Sequence, residues 1–215
     1  MANLVTSAPN TTDSFVLTAF SFEASLGVVA FVVGWVVGVD PLSTVPVTEG
    51  SLNNHLLAVF WGVVATVPLL VGLVLINRLR FRSLVRIRRF VAVRVLPLFE
   101  PLSLFELAAI SFAAGFGEEM LFRGLMQTGI AESVGGPQGV AAAVVLVSAL
   151  FGVCHWLTPT YAVLASLAGV YFGVLFLLTS NLLAPLVAHT LYDFLALVYL
   201  TRRSSFRRFF YSAPR

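Results

Sequence analysis

Six long apolar runs, parted by short polar breaks, leave this chain few ways to fold. They cover about residues 24–39, 55–76, 104–126, 140–157, 161–179 and 182–200. Each approaches the roughly 20 apolar residues a helix needs to cross a bilayer. Within hydrocarbon only helices and closed barrels satisfy every backbone amide, and none of these runs shows the alternation of a barrel strand. The expected fold is all-α: a polytopic membrane bundle of about six transmembrane helices.

Composition agrees. The 215 residues are 59% hydrophobic and 11% charged, with a mean hydropathy of +0.96, whereas a soluble domain carries about a quarter charged residues. All 13 basic residues are arginines. A pI near 9.5 raises nucleic acid as a partner, but the arginines gather at the ends of apolar runs, as topology signals do. The expected partner is the lipid bilayer and not nucleic acid; oligomeric state cannot be read from the sequence. The lone Cys154 excludes an intramolecular disulfide, and in an apolar run it is expected to pack rather than react.

The chain divides into four parts. Residues 1–21 are a polar N-terminal tail without the basic start of a secretory leader, and Asn10-Thr11-Thr12 matches a glycosylation sequon. Residues 22–97 hold two apolar helices and a basic loop, in which Asn77–Arg94 carries seven arginines. Pro97 and Pro101 are expected to end any helix there. Residues 98–200 form a helical core, with a loop around Glu132, Gly135, Gly136 and Pro137 between the third and fourth runs. Small residues Ala165, Gly169 and Gly173 at four-residue spacing are expected to admit a close neighbour. Residues 201–215 are a basic tail. Six spans put both termini on one side. Twelve arginines lie in the connections and tail on that side and none in those opposite, which makes both termini cytoplasmic in an inner cell membrane.

Within this greasy frame a few ionisable side chains stand out. Gly117-Glu118-Glu119-Met120-Leu121-Phe122-Arg123 places two carboxylates and a guanidinium inside the third run, where each charge costs about 2.5–3.5 kcal/mol even on lenient scales. Glu119 and Arg123 are four apart and can pair along one helix face. Glu118 points about 100° away, so one carboxylate reads as structural and the other as free to act. Phe151-Gly-Val-Cys-His155 puts a histidine near the end of the fourth run, and His189-Thr-Leu-Tyr-Asp193 puts a histidine and an aspartate on one face of the sixth. Taken singly, each is explained as well by a satisfied backbone carbonyl or a helix-stabilising pair. Together they suit water activation, which needs a base and groups to stabilise an oxyanion. The His-Glu-x-x-His of zincins and the Gly-x-Ser-x-Gly elbow are absent. Tyr192-Asp193 lacks the second aspartate that an aspartyl intramembrane protease requires.

Glu-Glu-x-x-x-Arg, Phe-x-x-x-His and His-x-x-x-Asn/Asp, in that order on successive helices, resemble the CPBP intramembrane proteases. These comprise CAAX prenyl endopeptidases of the Rce1 type and bacterial bacteriocin-processing or immunity relatives. The resemblance covers about residues 100–200. It implies that Glu118 activates water, that His155 assists it, that His189 and Asp193 face the scissile carbonyl, and that Glu119, Arg123 and Phe151 hold the site in shape. It leaves the cofactor as none or a zinc ion on Glu118, His155 and His189. Asp193 stands where prenyl-protease members have Asn, and an ionised carboxylate would repel an oxyanion unless burial keeps it protonated. The implied function is endoproteolysis of a membrane-associated peptide or lipidated protein, CAAX-like or leader-like. The alternatives are a non-catalytic immunity or scaffold protein of the same fold and a proton-coupled transporter.

One geometric expectation follows. Counted from Leu104 at 1.5 Å per residue, Glu118 and His155 would differ in depth by about 15 Å. A third span starting near Ser111, with residues 98–110 at the interface, would shrink that gap considerably and give a chamber open to the cytoplasm.

Overall fold

The computed structural model of the chain describes residues 11–45 and 51–202. Asn10 of the sequon, Pro46, Glu49 and Gly50 of the first loop, and the tail beyond Arg202 lie outside the described residues. Seven helices follow in order: α1 (Thr11–Val37), α2 (Ser51–Arg78), α3 (Arg82–Phe99), α4 (Leu104–Val134), α5 (Gly136–Cys154), α6 (Pro159–Thr179) and α7 (Leu183–Arg202). Among the described residues there is no strand. Five of these helices are long and apolar enough to cross a membrane, and α3 with α4, bent 114° at their junction, form a sixth candidate. The all-α polytopic bundle stands.

The bundle is turned inside out relative to a soluble one, as lipid demands. Trp35, Val36, Leu56, Val145 and Leu178 are exposed, whereas Glu118, Glu119, Arg123, Gln127, Ser148 and His189 are buried. Apolar surface needs no burial when the solvent is hydrocarbon, while ionisable groups must turn inward to find partners.

Several boundaries differ from the sequence reading. α1 begins at Thr11, so half of the stretch read as a polar tail is helix. The basic stretch is helical from Arg82 to Phe99, and Pro97 lies in the first turn after a π-type turn over Val91–Val95, where its missing N–H costs little. α4 begins at Leu104, not near Ser111. Ser103 caps it with a full capping box: Ser103 N donates to Glu106 Oε2 at 2.7 Å and Glu106 N donates to Ser103 Oγ at 3.3 Å. The helix then runs on to Val134, so the connection to α5 shrinks to a glycine hinge. Gly135 and Gly136 hold φ of +73° and +61° there, a region in which any side chain is strained.

That longer α4 removes the depth mismatch in a way the late start did not. Counted back from the hinge, Glu118 lies 16 residues away along α4 and His155 lies 19 residues beyond Gly136 along α5. At 1.5 Å per residue the two sit within about 5 Å of one level.

Close helix contacts hold the bundle together. A Cβ on Gly117 would collide with the Glu23 carbonyl of α1, and one on Gly115 with the Thr190 hydroxyl of α7. The expected small-residue face of α6 does admit neighbours: Gly169 faces Ser148 of α5 and Gly173 faces Gln127 of α4. α2 is tied in by Tyr171 Oη, which donates to the Ala65 carbonyl at 2.8 Å, and by a 3.0 Å contact between Asn181 Nδ2 and His55 Nδ1. Cys154 is exposed rather than packed, because at the last turn of α5 it shares the outward side with Val153.

Candidate active site

The site is assembled on one buried cation. Arg123 is wholly buried and projects from a π-type turn, Met120–Gln127, in the middle of α4; such wide turns inside helices are frequent at functional sites. Its Nη1 donates to Glu119 Oε1 at 3.0 Å and its Nη2 to the Gly169 carbonyl at 2.9 Å. The guanidinium carbon lies 4.8 Å from the Phe151 ring centroid and 5.5 Å from that of Phe172. A guanidinium removed from water needs this pairing, and ring faces add cation–π attraction. One turn on, Gln127 Nε2 donates to the Gly173 carbonyl at 3.1 Å. Arg123 and Gln127 on α4 thus stand in register with Gly169 and Gly173 on α6, because residues four apart share a helix face.

Glu119 passes this order to the next helix. Its Oε1 also lies 2.8 Å from His189 Nδ1. An ionised carboxylate only accepts, so this imidazole nitrogen carries the hydrogen. Phe172 stacks on His189 with centroids 4.8 Å apart and rings inclined 13°. Held from both sides, His189 presents Nε2 to Glu118 Oε2 at 3.9 Å and to Asp193 Oδ2 at 3.5 Å.

His155 is fixed by parallel logic. It follows directly on α5, its Nδ1 lies 2.8 Å from the Phe151 carbonyl, and its ring stacks on Phe151 at 4.4 Å. A carbonyl also only accepts, so Nδ1 again holds the hydrogen and Nε2 is left facing Glu118 Oε1 at 3.6 Å. Glu118 therefore stands between two imidazoles whose working nitrogens both point at it. These separations exceed a direct hydrogen bond, and a water beside the three atoms can bond to all of them. The side chain of Glu118 is 10% exposed, against 28% for His155 and 33% for Asp193, so the carboxylate is reached past those two residues.

The structure thus brings Glu118, Glu119, Arg123, Phe151, His155, His189 and Asp193 to one place. Zinc fares worse: among the described residues no group of three or more His, Cys, Asp and Glu has the geometry to hold a metal ion. The zinc set of Glu118, His155 and His189 drawn from the sequence lacks that support, and no step below passes through a metal.

Four further residues belong here that the sequence reading missed. Phe172 stacks on His189, and Gln127 extends the Arg123 register. Glu23 of α1 lies within electrostatic reach of His189, Asp193 and Glu118, and its Oε2 is buried without a hydrogen-bond partner. Tyr161, at the start of α6, lies within reach of Asp193 and Glu118. Only Glu23 carried a sequence signal: it is the one carboxylate between Asp13 and Asp40, set in an apolar stretch.

Residues 100–195 match the type II CAAX prenyl endopeptidase Rce1-like family. Over that segment the chain is similar to the Rce1-like family. No curated protein and no solved structure matches the chain. The matched segment opens just before Ser103 and closes two residues after Asp193, so it spans all three motif sites while leaving out α1 and α2. That similarity supports, in general terms, a CAAX-type intramembrane protease. Glu23, supplied by α1, lies outside the Rce1-like segment although it is within electrostatic reach of Glu118, His189 and Asp193.

Proposed function

We propose that the chain is an endopeptidase in which Glu118 activates water for attack on a peptide bond of a membrane-associated substrate, CAAX-like or leader-like. The observation that carries this reading is the placing of the Glu118 carboxylate 3.6 Å from His155 Nε2 and 3.9 Å from His189 Nε2, with all three side chains less than a third exposed. Glu118 takes a proton from the water as its oxygen attacks the scissile carbonyl. His155, at the more open side, holds the water through Nε2, and Glu118 then gives the proton it took to the leaving amine. His189, protonated at Nε2, donates to the oxyanion, and Glu118 and Glu119 supply counter-charge around it. Glu119 and Arg123 touch no reacting atom and act as positioning residues through His189. With both termini cytoplasmic, the chamber would open toward that side.

The test is mass spectrometry of peptides released from a membrane-peptide library by the purified protein in proteoliposomes. Wild type should release fragments that Glu118→Gln does not. Fragments persisting in Glu118→Gln would remove Glu118 as the base, and proton-dependent uptake without cleavage would put the transporter in place of the protease. Activity lost on chelation and restored by zinc would install a metal that the donor geometry does not support.

A further inference from the structure

We propose that α3 carries a preformed seat for anionic phospholipid headgroups, built from Arg82, Arg86, Arg89 and Arg94. The first three fall within about 60° of one another on a helical wheel, since positions i, i+4 and i+7 share a face. The π-type turn over Val91–Val95 lodges an extra residue, which turns the following chain back by up to about 100° and brings Arg94 toward the same stripe. All four are exposed. The opposite face is buried through Leu84, Ile87 and Arg88.

Arg88 makes the seat rigid. It is 8% exposed, and its Nη1 donates to the Ile76 and Leu79 carbonyls at 2.7 Å each. These are carbonyls at the C-terminal end of α2, where a cation is favoured. α3 is thereby locked against the end of a membrane-spanning helix. Only Leu79, Arg80 and Phe81 part the two helices, so α3 starts within about 14 Å of the end of α2, close to headgroup depth.

Charge and apolar surface together choose the occupant. Residues 51–99 contain no Asp or Glu, and among the described residues no ion pair engages these four arginines. Phe81 and Phe90 flank the stripe on either side and are 64% and 36% exposed. Nucleic acid would satisfy the arginines but leave these rings in water. A phospholipid meets both, with phosphate on the guanidinium groups and acyl chain against the rings.

The experiment is native mass spectrometry of the full chain in detergent with dioleoylphosphatidylglycerol or dioleoylphosphatidylcholine. Each basic residue near an anionic surface is worth about fivefold in association. Wild type should retain phosphatidylglycerol at least about tenfold over phosphatidylcholine, with the preference fading as NaCl rises from about 0.1 to 0.5 M. Arg82→Gln/Arg86→Gln/Arg89→Gln should lose it, and the triple Lys variant should keep most of it. Equal retention of the two lipids by wild type overturns the proposal even if the Gln variant fails to fold. So does an undiminished preference in a folded Gln variant, or tighter binding of a short single-stranded oligonucleotide than of phosphatidylglycerol.

Discussion

His189 and Glu119 are joined by a 2.8 Å hydrogen bond across 70 positions of chain, and the same Glu119 oxygen holds Arg123 at 3.0 Å. A motif histidine on α7 is therefore oriented by Glu119, the half of the Glu-Glu pair that the proposed mechanism keeps out of the reaction. The two neighbouring carboxylates divide their labour by rotation alone: Glu119 turns into the bundle toward α6 and α7, and Glu118 turns toward the chamber.

The first prediction concerns that division. Glu119→Ala strands a fully buried guanidinium, and breaking a buried pair from one side costs about 3–5 kcal/mol. Replacing both partners, as Glu119→Gln/Arg123→Met, should cost less than the two single changes summed, because no charge is left unpaired. Thermal unfolding in detergent reads both. Additive losses would mean that the pair does not organise the core.

A second prediction separates the histidines. His155 is partly exposed and its Nδ1 bonds to the Phe151 carbonyl one turn back, whereas His189 links three helices through Glu119 and Phe172. His155→Ala should lower cleavage by about 10²–10⁴-fold with little change in melting temperature. His189→Ala should lower both. Equal stability of the two variants would argue against the Glu119 link.

What the sequence disclosed followed the contrast between charge and grease. Glu118, Glu119, Arg123, His155, His189 and Asp193 were conspicuous because lipid makes each costly, and their spacing fixed which could share a face. Phe172 and Gln127 offered no such contrast. An aromatic residue in an apolar helix is unremarkable until its rotation about that helix is known. Glu23 was lost to a boundary error, since starting α1 near Ala24 left it outside the span. The extension of α4 to Val134 was hidden by polar Gln127, Thr128, Glu132 and Ser133, which read as a loop. There Thr128 Oγ1 donates to the Arg123 carbonyl at 3.1 Å and Ser133 Oγ to the Gly129 carbonyl at 2.7 Å, so the hydroxyls are satisfied inside the helix.

A third prediction follows from the α1–α4 contact. A Cβ on Gly117 would strike the Glu23 carbonyl, which is backbone and has no rotamer by which to retreat. Gly117→Ala should push the helices apart and cost about 1–3 kcal/mol, despite the higher helix propensity of alanine. Gly72, with open space around it, is the control: Gly72→Ala should be neutral or stabilising. Both are read as shifts in melting temperature. If Gly117→Ala stabilises the protein, the close packing of α1 on α4 is wrong.

The fourth prediction addresses Asp193, where related prenyl proteases carry an amide. Asp193 Oδ2 lies 3.5 Å from His189 Nε2, on the nitrogen proposed to donate to the oxyanion, and its side chain is 33% exposed. Two roles are open to a carboxylate there. It can hold counter-charge for a protonated His189, or it can face the substrate carbonyl directly. An amide retains the shape and adds an N–H donor, but removes the charge. Charge support alone makes Asp193→Asn the damaging change, as harmful as Asp193→Ala. Facing the carbonyl makes Asp193→Asn harmless or beneficial, because an amide donates where an ionised carboxylate repels. The position four residues from His189 points both groups into one chamber, so we expect Asp193→Asn to keep kcat/KM within about tenfold of wild type, and Asp193→Ala to lose about 10²–10³-fold. Matched kcat/KM measurements on one cleaved peptide decide between the roles, and equal losses in the two variants would assign Asp193 to His189 alone.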